Sequence, residues 1–492
     1  MTQCKIAIVL YFVFAAIPLS AFSHNLPLSV NHALKQMGIP PSAVSIYVHE
    51  IGAAQPLLAI NADTAMNPAS VMKLVTTFAG LELLGPAYTW KTELYANGVL
   101  NGDVLQGDLI IRGYGDPRLN LENFWLLTRR LRQTGLREIT GDLVLDNSYF
   151  DTLDLDQAAF DGKPHRAYNI IPEALLVNYR TLALRLIPQA ESKGVRIVVD
   201  PLPESLDLSN NLKLIGGKCD DWHDTLGADI RPAMKGTGRA SIVFNGAYSV
   251  NCGEKTLLLS LHDSPTYTFS LFKQLWAEQG GVFRGKVRTG IAPEGMLPLE
   301  THQSPTLAEV VRDINKFSNN ISARQLYLAL GMATARITRP ADGVTRGTTI
   351  RNTANLAKSN AAIRQWLASR HLHFPELIIE NGSGLSRNER ISASHLGQLL
   401  LSAFQSPVMP EFLSSLPITA VDGTMKTRLN DTAVAGQAHI KTGSLEGVRT
   451  MAGYMLDKSG RRVIIVFLVN HPKSGGAQLA MDALLEWIYD RP

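Results

Sequence analysis

Ser70-Val71-Met72-Lys73 sets a hydroxyl and an amine three residues apart, a spacing that brings both to one face of a helix. Serine is a weak nucleophile until a neighbouring base takes its proton, and a lysine of lowered pKa can be that base. Asn67 can cap a helix here, Pro68 suits the first helical position, and Gly85-Pro86 ends the run. Val71, Leu74, Val75, Phe78 and Leu81 recur at helical spacing, so a helix is expected from Asn67 to about Leu84. Ser70 would then lie in its first turn, where N–H groups lack intrahelical partners and can face an anion. Nucleophile, base and half an oxyanion hole would come from a single turn. By itself, S-x-x-K is a weak signal.

Two further motifs strengthen it. Lys441-Thr442-Gly443-Ser444 ends a strand-like run, with Gly443 allowing close backbone approach to a ligand. The similar Lys458-Ser459-Gly460 reads as a hairpin turn and Lys473-Ser474-Gly475 as a loop, so Lys441 is favoured. Ser-x-Asn occurs at Ser209-Asn210-Asn211, in a polar, proline-flanked stretch where asparagine pairs make turns. It occurs again at Ser318-Asn319-Asn320, amid the helical pattern of Val310, Val311, Ile314, Phe317 and Ile321. Polar groups buried in such a region need partners, and catalysis supplies a reason for them. Ser318 and Asn320 are therefore the expected pair.

The elements that must position these residues fall into a frame and an insert. Ser45–His49 and Leu57–Ile60 read as strands, Leu307–Ala333 and Asn352–Ala368 as helical. Gln437–Lys441, Thr450–Leu456 and Arg462–Val469 read as strands, before a helix from Ala477 to Tyr489. From Trp90 to about Pro293, short apolar runs broken by Gly, Asn, Asp and Pro indicate a β-rich block inside this α/β frame.

With 492 residues, 45% hydrophobic and 18% charged, the chain can bury a large core and is no disordered protein. Lys and Arg total 47 against 43 Asp and Glu, without a basic run, which argues against nucleic acid as a partner. Ile6–Leu19 is an apolar run too short to span a bilayer, followed by the small residues Ala21 and Ser23. Residues 1–23 are expected to be a signal peptide, leaving an exported chain without a transmembrane anchor. Cys219 and Cys252 would then be the remaining cysteines, expected to bridge in an oxidising compartment. A loop of about 33 residues closed this way contributes ~3–4 kcal/mol in the chain-entropy model. His371, His373, Glu376 and Glu380 match no zinc spacing, and no metal is expected.

The order S-x-x-K, S-x-N, K-T-G is that of penicillin-binding proteins and class A β-lactamases. Further matches are Gly113-Tyr114-Gly115-Asp116-Pro117, Gly382-Ser383-Gly384-Leu385-Ser386-Arg387 and the extended Lys441–Leu445. On these residues the chain resembles the D-alanyl-D-alanine carboxypeptidase/endopeptidases of the class C low-molecular-mass penicillin-binding proteins. The likeness covers essentially everything after residue 23. It implies an α/β (α+β) serine transpeptidase/β-lactamase-like domain with a large, mainly β-rich nested insert. We divide the chain accordingly: peptidase domain 24–90 and 296–492, insert domain II 91–167 and 264–295, and nested domain III 168–263.

The resemblance also implies roles. Ser70 would attack the carbonyl of the penultimate D-Ala, with Lys73 as base. Ser318 would relay a proton to the leaving amine, and Asn320 would orient Lys73 and the substrate amide. Lys441 and Thr442 would bind the terminal carboxylate, while the N–H groups of Ser70 and Ser444, beside Gly443, would form the oxyanion hole. Arg387 would hold the side-chain carboxylate of the peptide's diamino acid, with Asp161 and Tyr168 lining the same pocket. Asn381 stands where relatives often have Asp. Glu446 stands where they often have Gln, and would repel a free carboxylate. Peptidoglycan peptides and β-lactams are the implied partners, the periplasm the location, and no cofactor is called for. The oligomeric state stays open, a homodimer being one option.

Two rival readings fit less well. A class A β-lactamase needs a deacylating Glu after the second motif, whereas Glu173–Asn178 precedes Ser318, and Tyr95-Ala96-Asn97 follows Ser70 too soon for a class C tyrosine motif. An inactive wall-binding protein would show a broken motif, and all three are intact.

Overall fold

Alternating apolar runs from the two ends of the chain meet in one sheet. In the computed structural model, which describes residues 25–491 apart from 153, 190, 204, 220, 234–238 and 338–352, five antiparallel strands follow one another across it. Their order is Ala438–Leu445, Val448–Leu456, Arg462–Asn470, Val44–Glu50 and Leu58–Ile60. The segment expected to be a signal peptide lies outside the described residues. Because side chains alternate across a strand, Ala452, Tyr454, Ile464, Val466 and Leu468 enter one core and Met451, Met455, Val463, Ile465 and Phe467 another. The first core is shared with helices Lys73–Leu84, Leu307–Phe317, Asn320–Ile337 and Ala393–Phe404, the second with Leu28–Gln36 and Gln478–Tyr489. Burial on both faces explains why these strands read as nearly continuous apolar runs.

Residues 91–303 build a second body. Its seven-stranded sheet joins Lys91–Asn101, Val104–Gly113, Glu138–Ile139, Leu143–Asp146, Val282–Phe283, Val287–Thr289 and Glu300–Gln303. The last of these pairs with Lys91–Leu94, so this sheet runs past residue 295. Three small sheets occupy 182–259, and Cys219 and Cys252 are disulfide-bonded there. One apolar cluster, including Leu94, Leu184, Phe244 and Trp276, spans both parts of the insert.

Some expectations need correction. The β-rich block holds two substantial helices, Leu121–Gln133 and Ser264–Glu278. Asn120 and Asp263 cap them by accepting from Asn123 N–H and Thr266 N–H, and Phe124, Leu127 and Leu131 give the first a buried stripe. Helices Leu28–Gln36 and Ala393–Phe404 also escaped the sequence reading. The helix expected from Asn67 starts later, with a 3-10 turn at Ala69–Met72 before Lys73–Leu84. Asn67 instead accepts a bond from Ala69 N–H at 2.9 Å and donates to the Ser386 carbonyl at 2.8 Å. The long helical run from Leu307 is two helices, broken at Ser318.

Candidate active site

Ser70 sits in that 3-10 turn, directly after Ala69, whose φ of 45° is left-handed. Gly384 and Gly443 close on it from two sides. A Cβ on Gly384 would lie 1.9 Å from the Ala69 oxygen, and one on Gly443 would lie 2.9 Å from Ser70 N. Only residues without a side chain let the turn, the 382–386 loop and the edge strand converge on the Ser70 amide.

Lys73 opens the helix that follows, with no exposed surface. Its Nζ donates to Ser70 Oγ at 2.9 Å and to Asn320 Oδ1 at 2.6 Å, and also to the Ser383 carbonyl. Burial pushes this amine well below the usual lysine range, and the Lys441 cation adds to the effect. Lys441, equally buried, is pushed down to about 7 by desolvation. Its Nζ donates to Ser318 Oγ at 2.9 Å and to the Thr442 carbonyl at 2.7 Å.

Ser318 and Asn320 reach the two lysines because the helix breaks between them. Ser318 takes a left-handed φ of 57° at the end of Leu307–Phe317. Asn319 then starts the next helix, its Oδ1 accepting from Ser322 N–H at 3.0 Å, which leaves Asn320 free to face Lys73. The Ala438–Leu445 strand is an edge, so alternate residues turn their backbone groups away from the sheet. Ala438 O and Ile440 N bond outward to Thr419 and Pro417. The same parity turns the backbone groups of Thr442 and Ser444 outward, the Thr442 carbonyl onto Lys441 and the Ser444 N–H toward the open side.

The alternative motifs lie elsewhere. Asn210 donates to the Val195 carbonyl and accepts from Leu212 N–H, a turn in the nested insert. Lys458 occupies the hairpin turn between the last two strands and donates to the Asp490 carbonyl, and Lys473 packs beside Gly38. Glu173, partly buried, pairs with Arg180 at 3.2 Å.

A cavity of about 600 Å³ adjoins the 382–386 loop, lined among others by Asp154, Asp156, Phe160, Arg324, Glu380 and Arg387. Arg387 lies over the Phe160 ring at 5.0 Å and pairs with Glu446 at 3.2 Å, also donating to the Glu446 carbonyl at 2.9 Å. Asp161 and Tyr168 do not line this cavity; they bond to each other at 2.7 Å next to Phe160. Sequence reasoning missed three participants: the Ser383 carbonyl on Lys73, Thr424, which accepts from Thr442 Oγ1 at 2.7 Å, and the buried Glu389. The Gly382–Arg387 motif pointed at the first, yet nothing in a sequence marks which carbonyl will be used.

Comparison with known proteins agrees with this architecture. The chain is 25% identical over 467 residues to the D-alanyl-D-alanine carboxypeptidase of Actinomadura sp. (strain R39), covering 92% of this chain and 82% of that one. Among solved structures, penicillin binding protein 4 from Haemophilus influenzae superimposes with a TM-score of 0.75 at 22% identity, over 94% of this chain and 100% of that one. The same protein complexed with a β-lactam gives 0.71 at 21% identity over the same shares, and both likenesses are of fold. The family model described as D-Ala-D-Ala carboxypeptidase 3 (S13) matches residues 26–488. A chain matched over that length, with this peptidase fold around these three motifs, belongs to the D-Ala-D-Ala carboxypeptidase 3 (S13) family.

Proposed function

We propose that the protein is an exported, periplasmic serine D-Ala-D-Ala carboxypeptidase and/or D,D-endopeptidase. It acts on peptidoglycan stem peptides and cross-links through a Ser70 acyl-enzyme, and β-lactams acylate the same serine. The observation that carries this reading is the Lys73 amine, buried and bonded to both Ser70 Oγ and Asn320 Oδ1. The disulfide in the insert supports export to an oxidising compartment.

A neutral Lys73 takes the Ser70 hydroxyl proton as Oγ bonds to the carbonyl carbon of the penultimate D-Ala. The oxyanion that forms is held by the N–H groups of Ser70 and Ser444. Collapse breaks the C–N bond, and the proton returns to the leaving amine through Ser318, which Lys441 holds in place. Water then attacks the ester carbonyl, its proton passing to Lys73 and from there to Ser70 Oγ as the ester C–O bond breaks, which restores the hydroxyl and the neutral amine. Thr442 and Lys441 bind the terminal carboxylate, whose charge raises the lysine pKa again and keeps that ammonium protonated while substrate is bound. Arg387 and Glu446 frame the subsite for the peptide's diamino-acid side chain, and the Asp161–Tyr168 pair props the Phe160 segment beside it.

The test is intact mass of the purified protein over time with benzylpenicillin, with Ser70→Ala in parallel. A persistent, Ser70-dependent adduct is expected, followed by D-Ala release from a stem-peptide substrate. An adduct lost within seconds would point to a β-lactamase, and no adduct would overturn the reading.

A further inference from the structure

Glu389 is fully buried near Lys73, outside all three motifs and unused in the mechanism above. Its Oε1 accepts the N–H groups of Glu380 at 3.0 Å and Asn381 at 3.2 Å. These residues open the turn that brings the Ser383 carbonyl onto Lys73 Nζ. Asn381 passes the constraint on, its Oδ1 accepting from both Ser383 N–H at 2.9 Å and Ser383 Oγ at 2.6 Å. Thr76, one turn beyond Lys73, clamps the same loop by donating to the Gly382 carbonyl at 2.7 Å. One carboxylate oxygen thus anchors the backbone that ligates the base.

A neutral amide side chain could accept those two bonds equally well. A carboxylate adds a charge, which burial disfavours strongly unless other charges compensate it. Its Oε2 has no hydrogen-bond partner among the described residues, so the compensation must act through space. The groups facing it are Lys73 from Lys73–Leu84, Arg324 and Tyr327 from Asn320–Ile337, and Glu380 from its own loop. Lys441 acts on Lys73 from the edge strand, and Arg364 on Tyr327 from the neighbouring helix. Of the charges acting on Lys73, namely Lys441, Glu389 and Arg324, Glu389 is the anion.

We propose that Glu389 is a positioning residue for Lys73: it fixes the turn that carries the Ser383 carbonyl and supplies the negative charge felt by the buried amine. This rests on the reading of Lys73 as the base for Ser70. Burial pushes the Glu389 carboxyl up to about 7, against the pull of its two backbone bonds. It therefore gains its charge near neutral pH, where Lys73 has to give up a proton. Once ionised, it holds that proton more tightly; when neutral, it leaves Lys73 surrounded by cations and easier to deprotonate.

The experiment is the rate of Ser70 acylation by benzylpenicillin between pH 5 and 9 for wild type, Glu389→Gln and Glu389→Asp, with a thermal melt of each. Glutamine keeps the acceptor and removes the charge, so the midpoint of the acid limb should move down by about one pH unit. Aspartate keeps the charge on a shorter arm, so the midpoint should stay near wild type while the rate falls. A Glu389→Gln midpoint equal to wild type would overturn the proposal. So would a Glu389→Asp midpoint displaced downward, which keeps the idea testable if the glutamine variant does not fold. Failure of wild type to form any Ser70 adduct would instead bring down the parent reading, and this one with it.

Discussion

Lys441 Nζ donates to Ser318 Oγ at 2.9 Å, joining the free edge of the main sheet to the break between two helices. Neither residue is placed by its own element alone. Side-chain alternation along the strand sends Lys441 to the face opposite Ala438 and Ile440, and the left-handed Ser318 ends one helix just before the next begins. In the proposed mechanism the contact would link the group that binds a substrate carboxylate to the group that returns a proton, so that both are ordered together.

Lys73→Arg should reduce acylation by roughly 10³-fold, since Arg keeps the charge and cannot lose its proton. In wild type, acylation should fall as pH drops through the depressed Lys73 pKa, because the amine is then protonated. Lys441→Met removes a neighbouring cation, so the Lys73 pKa rises and that acid limb moves to higher pH. Stopped-flow acylation across pH checks both. An active arginine variant would remove Lys73 as the base.

Ser318→Gly relieves a left-handed backbone while deleting the hydroxyl. Stability should stay within about 1 kcal/mol of wild type, as strain relief offsets the entropy gained by the unfolded chain. Acylation should fall about 10²-fold. Urea midpoints set beside acylation rates test the pair, and a large stability loss would show that Ser318 is structural.

Gly384→Ala places a methyl 1.9 Å from the Ala69 oxygen at a φ of +81°. A loss of about 2 kcal/mol is expected, together with a rate loss above about tenfold from displacement of the Ser70 amide. Wild-type melting and acylation in this variant would mean that the turn tolerates the shift.

Glu446→Gln unpairs an exposed salt bridge, with Glu446 90% and Arg387 46% exposed, so stability should change by less than about 0.5 kcal/mol. Specificity should change more, since the freed Arg387 favours stem peptides with a free side-chain carboxylate over amidated ones. The ratio of kcat/KM for the two peptides is the readout, and an unchanged ratio would separate Glu446 from substrate selection.

The motifs were legible because each is short and local: Ser70 and Lys73 share one turn, and Lys441 to Ser444 share one strand. The terminal strands were equally plain, as burial on both faces leaves them short, nearly continuous apolar runs bounded by turn residues. Helices Leu121–Gln133 and Ser264–Glu278 were hidden because Gly, Asn, Asp and Pro around them signal turns more strongly than their stripes signal helix. The break at Ser318 was masked by apolar spacing that continues in phase across it.

By itself, then, the sequence determined the chemistry on offer, the β-rich insert within an α/β frame, and the motif copies that the fold brings within hydrogen-bonding distance. Only the tertiary structure decided that the Ser383 carbonyl ligates Lys73, that Glu389 is buried near it, and that Glu446 occupies Arg387. The reason is physical. Residue types carry their functional groups wherever they lie, whereas a lowered lysine pKa, a chosen backbone carbonyl and a buried charge arise from segments hundreds of residues apart excluding water together.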